Sequence, residues 1–211
     1  MIVINTKAYR NSVGEKLEQL VKTCTDSTDP ENLIFSVQPE DLLRLQDADV
    51  EVFAQHIDDV ETGSHTGSIL AEGVKEAGAS GTLINHSEKR LEKEEIRSRV
   101  EKADQLGMTT IVCAQSPEEC RELSELEPDY IAFEPPELIG GETSVAEAEP
   151  KIIEEAVESA SPVDTLTGAG IHTTKDVSKS MELGCEGVLV ASGVIKAKDP
   201  GEEVRELVKG L

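Results

Sequence analysis

From its first residues to its last, the chain alternates between two kinds of segment. A short run of β-branched and aliphatic residues is followed by a longer, charged stretch whose apolar positions recur at helical spacing. Strands are expected at Ile2–Asn5, Leu33–Val37, Glu51–Gln55, Thr82–Asn85, Thr109–Ala114, Tyr130–Phe133, Asp164–Thr167 and Gly187–Val190. Between them fall helical stretches: Val13–Cys24, with Val13, Leu17, Leu20 and Val21 on one face; Glu40–Asp47; and a segment ending near Ala77. Glu94–Leu106 stops at Gly107, and Ser116-Pro117 opens a helix with a cap and a proline at the first helical position. Pro150–Ala160, Lys175–Leu183 and Pro200–Leu211 complete the series. Parallel neighbours need a crossover, so eight strand–helix units imply a parallel α/β sheet, either closed into a barrel or open. No composition break marks a linker, so residues 1–211 are expected to form one domain.

Charge then limits the partners. With 43 acidic and 20 basic side chains, the net charge is −23. Such a chain repels nucleic acid and anionic membranes, and no run of Lys and Arg offers a local exception. The acidic residues are spread over the helices (Glu92, Glu94, Glu95; Glu118, Glu119, Glu122; Glu154, Glu155, Glu158), which describes a solvated shell rather than an interaction tail. Five aromatic residues and no Trp leave the core to Val, Ile, Leu and Ala. This combination resembles proteins from cells with molar internal salt. Cys24, Cys113, Cys120 and Cys185 have no metal-like spacing and are expected as buried, reduced thiols. No segment has the pattern of a signal peptide or a membrane span, so a cytoplasmic location is expected.

In either parallel fold, function sits on the loops after the carboxyl ends of the strands. Lys7, just past strand one with Asn5 before it, is a fixed cation for an anionic substrate or an ordinary surface lysine. His86, just past strand four and leading into a short helix, is a structural imidazole or a neutral donor to a carbonyl that gains negative charge, its pKa lowered by the positive end of that helix. Glu134 ends an apolar strand, so its carboxylate should be partly desolvated and more basic than in water. Pro135-Pro136 stiffens the segment after it and Gly140-Gly141 loosens the far side, the pattern of a hinged lid or of a plain turn. Gly168-Ala169-Gly170-Ile171 and Ala191-Ser192-Gly193-Val194 follow the last two strands. Small residues there let main-chain N–H groups approach a phosphate, or simply make tight turns.

Taken in order, these motifs resemble the triosephosphate isomerase family. AQHID, GSHTGS, INHSEKR, EPPELIG and ASGVIKAKDP are similar to its compact archaeal branch over nearly the whole chain. The resemblance implies a (β/α)8 TIM barrel that interconverts dihydroxyacetone phosphate and D-glyceraldehyde 3-phosphate through an enediolate, with no cofactor and no metal. It implies Glu134 as the base, His86 as the electrophile, and Lys7, aided by Asn5, as the group that holds the substrate. Ile139 and Gly140 on a lid, with Gly170, Ala191 and Ser192, would bind the phosphate. The loop around Thr66 would reach into a neighbouring subunit, giving a dimer or tetramer. One departure stands out: the lid reads Ile139-Gly140-Gly141-Glu142 where the family commonly has IGTG. His56, Asp58, Asp59 and His65 fit no metal template. His172 and Lys175 read as solvent-facing residues of a helix start, and Glu88 as either a partner of Lys7 or a cap. The nearest rival is another phosphate-sugar barrel enzyme, such as a Schiff-base aldolase with Lys7 as nucleophile or a ketose-phosphate epimerase, and a non-catalytic acidic binding protein on the same scaffold is the alternative from another class.

Overall fold

The computed structural model describes residues 1–136 and 149–211, so Ile139, Gly140, Gly141 and Glu142 lie outside the described residues. Eight parallel strands pair in sequence order, and the last pairs with the first, closing a barrel. They are β1 Ile2–Asn5, β2 Leu33–Val37, β3 Glu51–Ala54, β4 Gly81–Ile84, β5 Thr109–Ala114, β6 Tyr130–Phe133, β7 Asp164–Thr167 and β8 Gly187–Val190. Ile2 sits opposite Leu33 on one side and Val188 on the other, which shows the closure directly. The choice that strand spacing left open between open sheet and barrel is thus settled as a TIM barrel.

Successive residues of a strand point to opposite faces, and this divides the apolar residues into two shells. One residue from each strand (Val3, Ile34, Phe53, Leu83, Ile111, Ala132, Leu166, Leu189) joins Cys113 in a single buried cluster inside the barrel. The alternate residues Ile2, Ile4, Phe35, Val37, Val52, Val188 and Val190 face outward under the helices. With so few aromatic residues, each ring needs space made for it. A Cβ at Gly81 would stand 2.5 Å from the Phe53 ring and 2.5 Å from the Thr109 carbonyl oxygen. The glycine that starts β4 is therefore what allows Phe53 to fill the interior, and truncating that ring to Ala would cost about 3–5 kcal/mol.

The helices of the described chain are α1 Glu15–Thr25, α2 Ala71–Glu76, α3 Lys93–Gln105, α4 Pro117–Ser124, α5 Pro150–Ala160, α6 Thr174–Glu182, α7 Ser192–Ile195 and α8 Pro200–Val208. Ser116 caps α4, its hydroxyl accepting from the Glu119 N–H at 3.2 Å, with Pro117 next. Several boundaries depart from the sequence reading. The stretch after β2 is a 3-10 helix, Pro39–Leu45. Val13 lies before α1 and is exposed, while Cys24 takes its place on the buried face with Leu17, Leu20 and Val21. β3 ends at Ala54, and β4 runs one residue earlier than expected because Asn85 leaves the strand with a left-handed φ of 62°. Both shifts release a polar residue at the carboxyl end of the barrel.

Candidate active site

Lys7, His86 and Glu134 leave different strands and meet at that carboxyl end, around one pocket. Lys7 adopts φ 47°, a left-handed conformation that costs a β-carbon residue free energy. It is held there locally: the Lys7 N–H donates to the Asn5 side-chain oxygen at 3.0 Å. The Lys7 ammonium reaches Glu88 Oε1 at 3.1 Å, so Glu88 is its partner rather than a helix cap.

No helix begins at His86. The expected short helix is a single turn, closed by the Lys89 N–H donating to the His86 carbonyl at 2.8 Å. Asn85 shapes this turn: its amide donates to the Cys113 carbonyl at 2.9 Å, and its side-chain oxygen accepts from the Leu91 N–H at 3.0 Å. The Glu88 N–H donates to His86 Nδ1 at 3.2 Å. An imidazole that accepts at Nδ1 carries its proton on Nε2. Nε2 in turn faces Glu134 Oε2 at 3.6 Å. Burial, with Lys7 nearby, lowers the His86 pKa from 6.5 to about 4, against a weaker opposing pull from Glu88. The ring is therefore neutral at pH 7, and the cause is burial rather than the helix dipole inferred from sequence.

Glu134 lies just past β6, with its N–H donating to the Ala114 carbonyl at 2.8 Å. Its carboxylate is buried, and among the described residues Oε2 has no hydrogen-bond partner. Desolvation raises its pKa from 4.5 to about 7; Lys7 and the Cys113 thiol pull downward and Glu88 adds to the rise. Gly168 makes the room: a Cβ there would stand 2.7 Å from Glu134 Cγ and 2.8 Å from Oε1.

The opposite wall comes from the last two loops. Ala169 and Gly170 both have left-handed backbones, at φ 73° and 72°. Ala191 and Ser192 follow β8, and Ser192 starts the four-residue α7. Asn5, Lys7, His86, Glu134, Gly170, Ala191 and Ser192 all line this pocket. Ile171 of the glycine-rich loop lines it too, as do Tyr9 and His172, which were missed. His172 is exposed, as expected for a helix start, but its ring also abuts Gly193. Its position straight after the glycine-rich loop was the available signal.

His56 and Asp58 lie to one side. His56 Nε2 contacts Asp58 Oδ1 at 3.0 Å, and Asp58 Oδ2 accepts from the Ile69 N–H at 2.8 Å. The pair ties the base of a loop in which residues 61–68 are all exposed, His65 and Thr66 among them.

The comparisons agree with this geometry. The sequence model of triosephosphate isomerase matches residues 1–210. The chain is 42% identical over 216 residues to a triosephosphate isomerase of Methanocaldococcus jannaschii, covering 99% of each. To that of Methanobacterium bryantii it is 44% identical, covering 100% of this chain and 96% of the relative. To that of Thermoplasma volcanium it is 41% identical, covering 99% of each. With the closed barrel and the three strand-end residues around one pocket, the match along the whole length means that the chain belongs to the triosephosphate isomerase family.

Proposed function

We propose that the chain interconverts dihydroxyacetone phosphate and D-glyceraldehyde 3-phosphate by moving one proton between adjacent carbons. The observation that carries this reading is the pairing of Glu134 with His86. A desolvated carboxylate with an unpartnered oxygen and a neutral imidazole N–H stand 3.6 Å apart at the mouth of the barrel. Each has the protonation state that the step needs.

With dihydroxyacetone phosphate in the pocket, the Glu134 carboxylate takes a proton from C1. The C1–H electron pair becomes the C1=C2 double bond, and the carbonyl π electrons move onto the C2 oxygen. His86 Nε2–H donates to that oxygen as its charge develops, without a formal cation that would have to be neutralised. Lys7, fixed by Asn5 and Glu88, offsets the charge of the enediolate and the phosphate. A proton passes from the O1 hydroxyl to O2, and Glu134 returns its proton to C2 to give the aldehyde. A carboxylate pKa near 7 strengthens the base while leaving part of it ionised at its working pH, and stabilisation of the enediolate by His86 and Lys7 lowers the remaining barrier. Gly170, Ala191 and Ser192 are the residues we assign to the phosphate; they line the pocket beside the left-handed turn at Ala169 and Gly170.

We read the exposed 61–68 loop around Thr66 as the contact to a second copy, which makes the active form a homo-oligomer. The acidic shell is read as adaptation to high salt inside the cell, with the enzyme in the cytoplasm. Among the described residues no helix is long and apolar enough to cross a membrane. A coupled isomerase assay on the purified chain tests the function: turnover of either triose phosphate supports it, and a folded protein without turnover overturns it.

A further inference from the structure

Lys7 has to keep its ammonium over the pocket from a backbone conformation that a lysine does not prefer. Its N–H is held by Asn5, but a second tie comes from Gln55, a residue of the AQHID motif that had been given no role. Gln55 stands one residue past the end of β3, half-buried, and its backbone N–H still donates to the Val37 carbonyl at 3.0 Å. This fixes where the side chain starts. Gln55 Nε2 then lies 3.0 Å from the Lys7 carbonyl oxygen, 3.2 Å from the Ser36 carbonyl oxygen and 3.1 Å from Thr6 Oγ1. Two of these three neighbours can only accept, so the atom among them is the amide donor. The Thr6 hydroxyl spends its own proton on the Ser36 carbonyl at 3.0 Å, which leaves its lone pairs toward Gln55. The two amide hydrogens thus span β2, the end of β1 and the carbonyl of Lys7.

We infer that Gln55 is a positioning residue for Lys7: its side-chain amide holds the left-handed backbone from which the Lys7 ammonium reaches the substrate. The inference rests on the assignment of Lys7 above. We treat Gln55 as positioning rather than catalytic, because its amide nitrogen is directed at three acceptors of the protein. Its effect should therefore appear only through Lys7. When Lys7 drifts, the substrate loses a charge partner, and so does Glu134, whose proton affinity Lys7 lowers. The other titratable groups that share the hollow beside Gln55 are Glu40, His56, His86, Glu88 and Lys89. None of them is altered by the changes below.

The test is a double-mutant cycle with Gln55→Met and Lys7→Met in the full chain, read as KM, kcat and the pH profile of kcat/KM. Gln55→Met keeps the length and volume but removes the donor. KM should rise about three- to tenfold, with kcat falling less. The acid limb of kcat/KM should move to higher pH, which a general loosening of the barrel would not produce. In the Lys7→Met background the same change should have almost no effect. Gln55→Glu replaces the donor with a carboxylate facing two carbonyls and should show the same rise in KM. It carries the test if the methionine variant does not fold. Native KM and an unmoved acid limb in a folded Gln55 variant overturn the inference, as does an effect of Gln55→Met undiminished without Lys7. If Lys7→Met alone leaves catalysis intact, it is the assignment of the site that fails.

Discussion

Replacing Glu134 by Gln should stabilise the folded protein at pH 8 while disabling it. The free carboxylate is buried with one oxygen unpartnered, and burial lifts its pKa from 4.5 to about 7. That gap is a factor of roughly 300 in proton affinity, equivalent to about 3 kcal/mol. A buried, incompletely paired ion carries a penalty of several kcal/mol, so the two routes agree in size. The sign follows from linkage. The folded state binds the Glu134 proton more tightly than the unfolded state, so this group's stabilising contribution is fully present below pH 4.5. It is lost as pH rises through about 7. Gln carries no charge at any pH and escapes that loss. The stability of Glu134→Gln relative to the native protein should therefore climb by about 3 kcal/mol between pH 4.5 and 8, whatever constant offset the amide adds. Urea denaturation in molar KCl, at fixed protein concentration because an oligomer's stability depends on it, measures the difference directly. A flat difference across that range, or one that grows toward acid, would refute the desolvated-base reasoning.

Three further outcomes follow from the same geometry. His86 should remain neutral well below pH 6, titrating near 4 by NMR, and His86→Gln should lower kcat on the order of 10²–10³-fold as the donor is lost. Gly168→Ala should keep the barrel but push the base aside, because the new methyl would stand 2.7 Å from Glu134 Cγ; a loss in kcat of about 10²-fold with little change in circular dichroism checks this. The net charge of −23 should make stability depend on salt. Two like charges 10 Å apart repel by about 0.4 kcal/mol in water, and the Debye length falls from about 30 Å at 0.01 M salt to about 3 Å at 1 M. Denaturation midpoints and sedimentation from dilute buffer to molar KCl should show a rise in stability and assembly, and equal values across the range would refute it.

Much of this architecture was legible because strands and helices differ in period. Ile2–Asn5, Leu33–Val37, Thr109–Ala114, Tyr130–Phe133 and Gly187–Val190 run where the alternation put them. What periodicity could not supply was closure, since parallel pairing has the same pattern in a sheet and in a barrel; the family motifs decided that. It also failed at strand ends, where tertiary bonds override propensity. Asn85 leaves β4 because its side chain is bound to the Cys113 carbonyl on the next strand and to the Leu91 N–H across the following turn. The short helix expected at His86 is one turn for the same reason. In the site, Lys7, His86 and Glu134 could be named because chemistry collects at strand ends. Gln55 could not, because its role lies in three acceptors contributed by two other strand ends. Tyr9 reaches the pocket through loop geometry that no spacing encodes.

The most direct test of the central claim is the rate of triose phosphate isomerisation, kcat/KM, for the native chain and Glu134→Gln across pH in high salt. A native chain should turn over both triose phosphates, with kcat/KM falling as pH drops through about 7, where Glu134 gains its proton. Glu134→Gln, equally folded and assembled, should be slower by roughly 10²–10⁴-fold. A folded native chain that isomerises neither substrate, or a Glu134→Gln variant as fast as the native chain, would contradict the account.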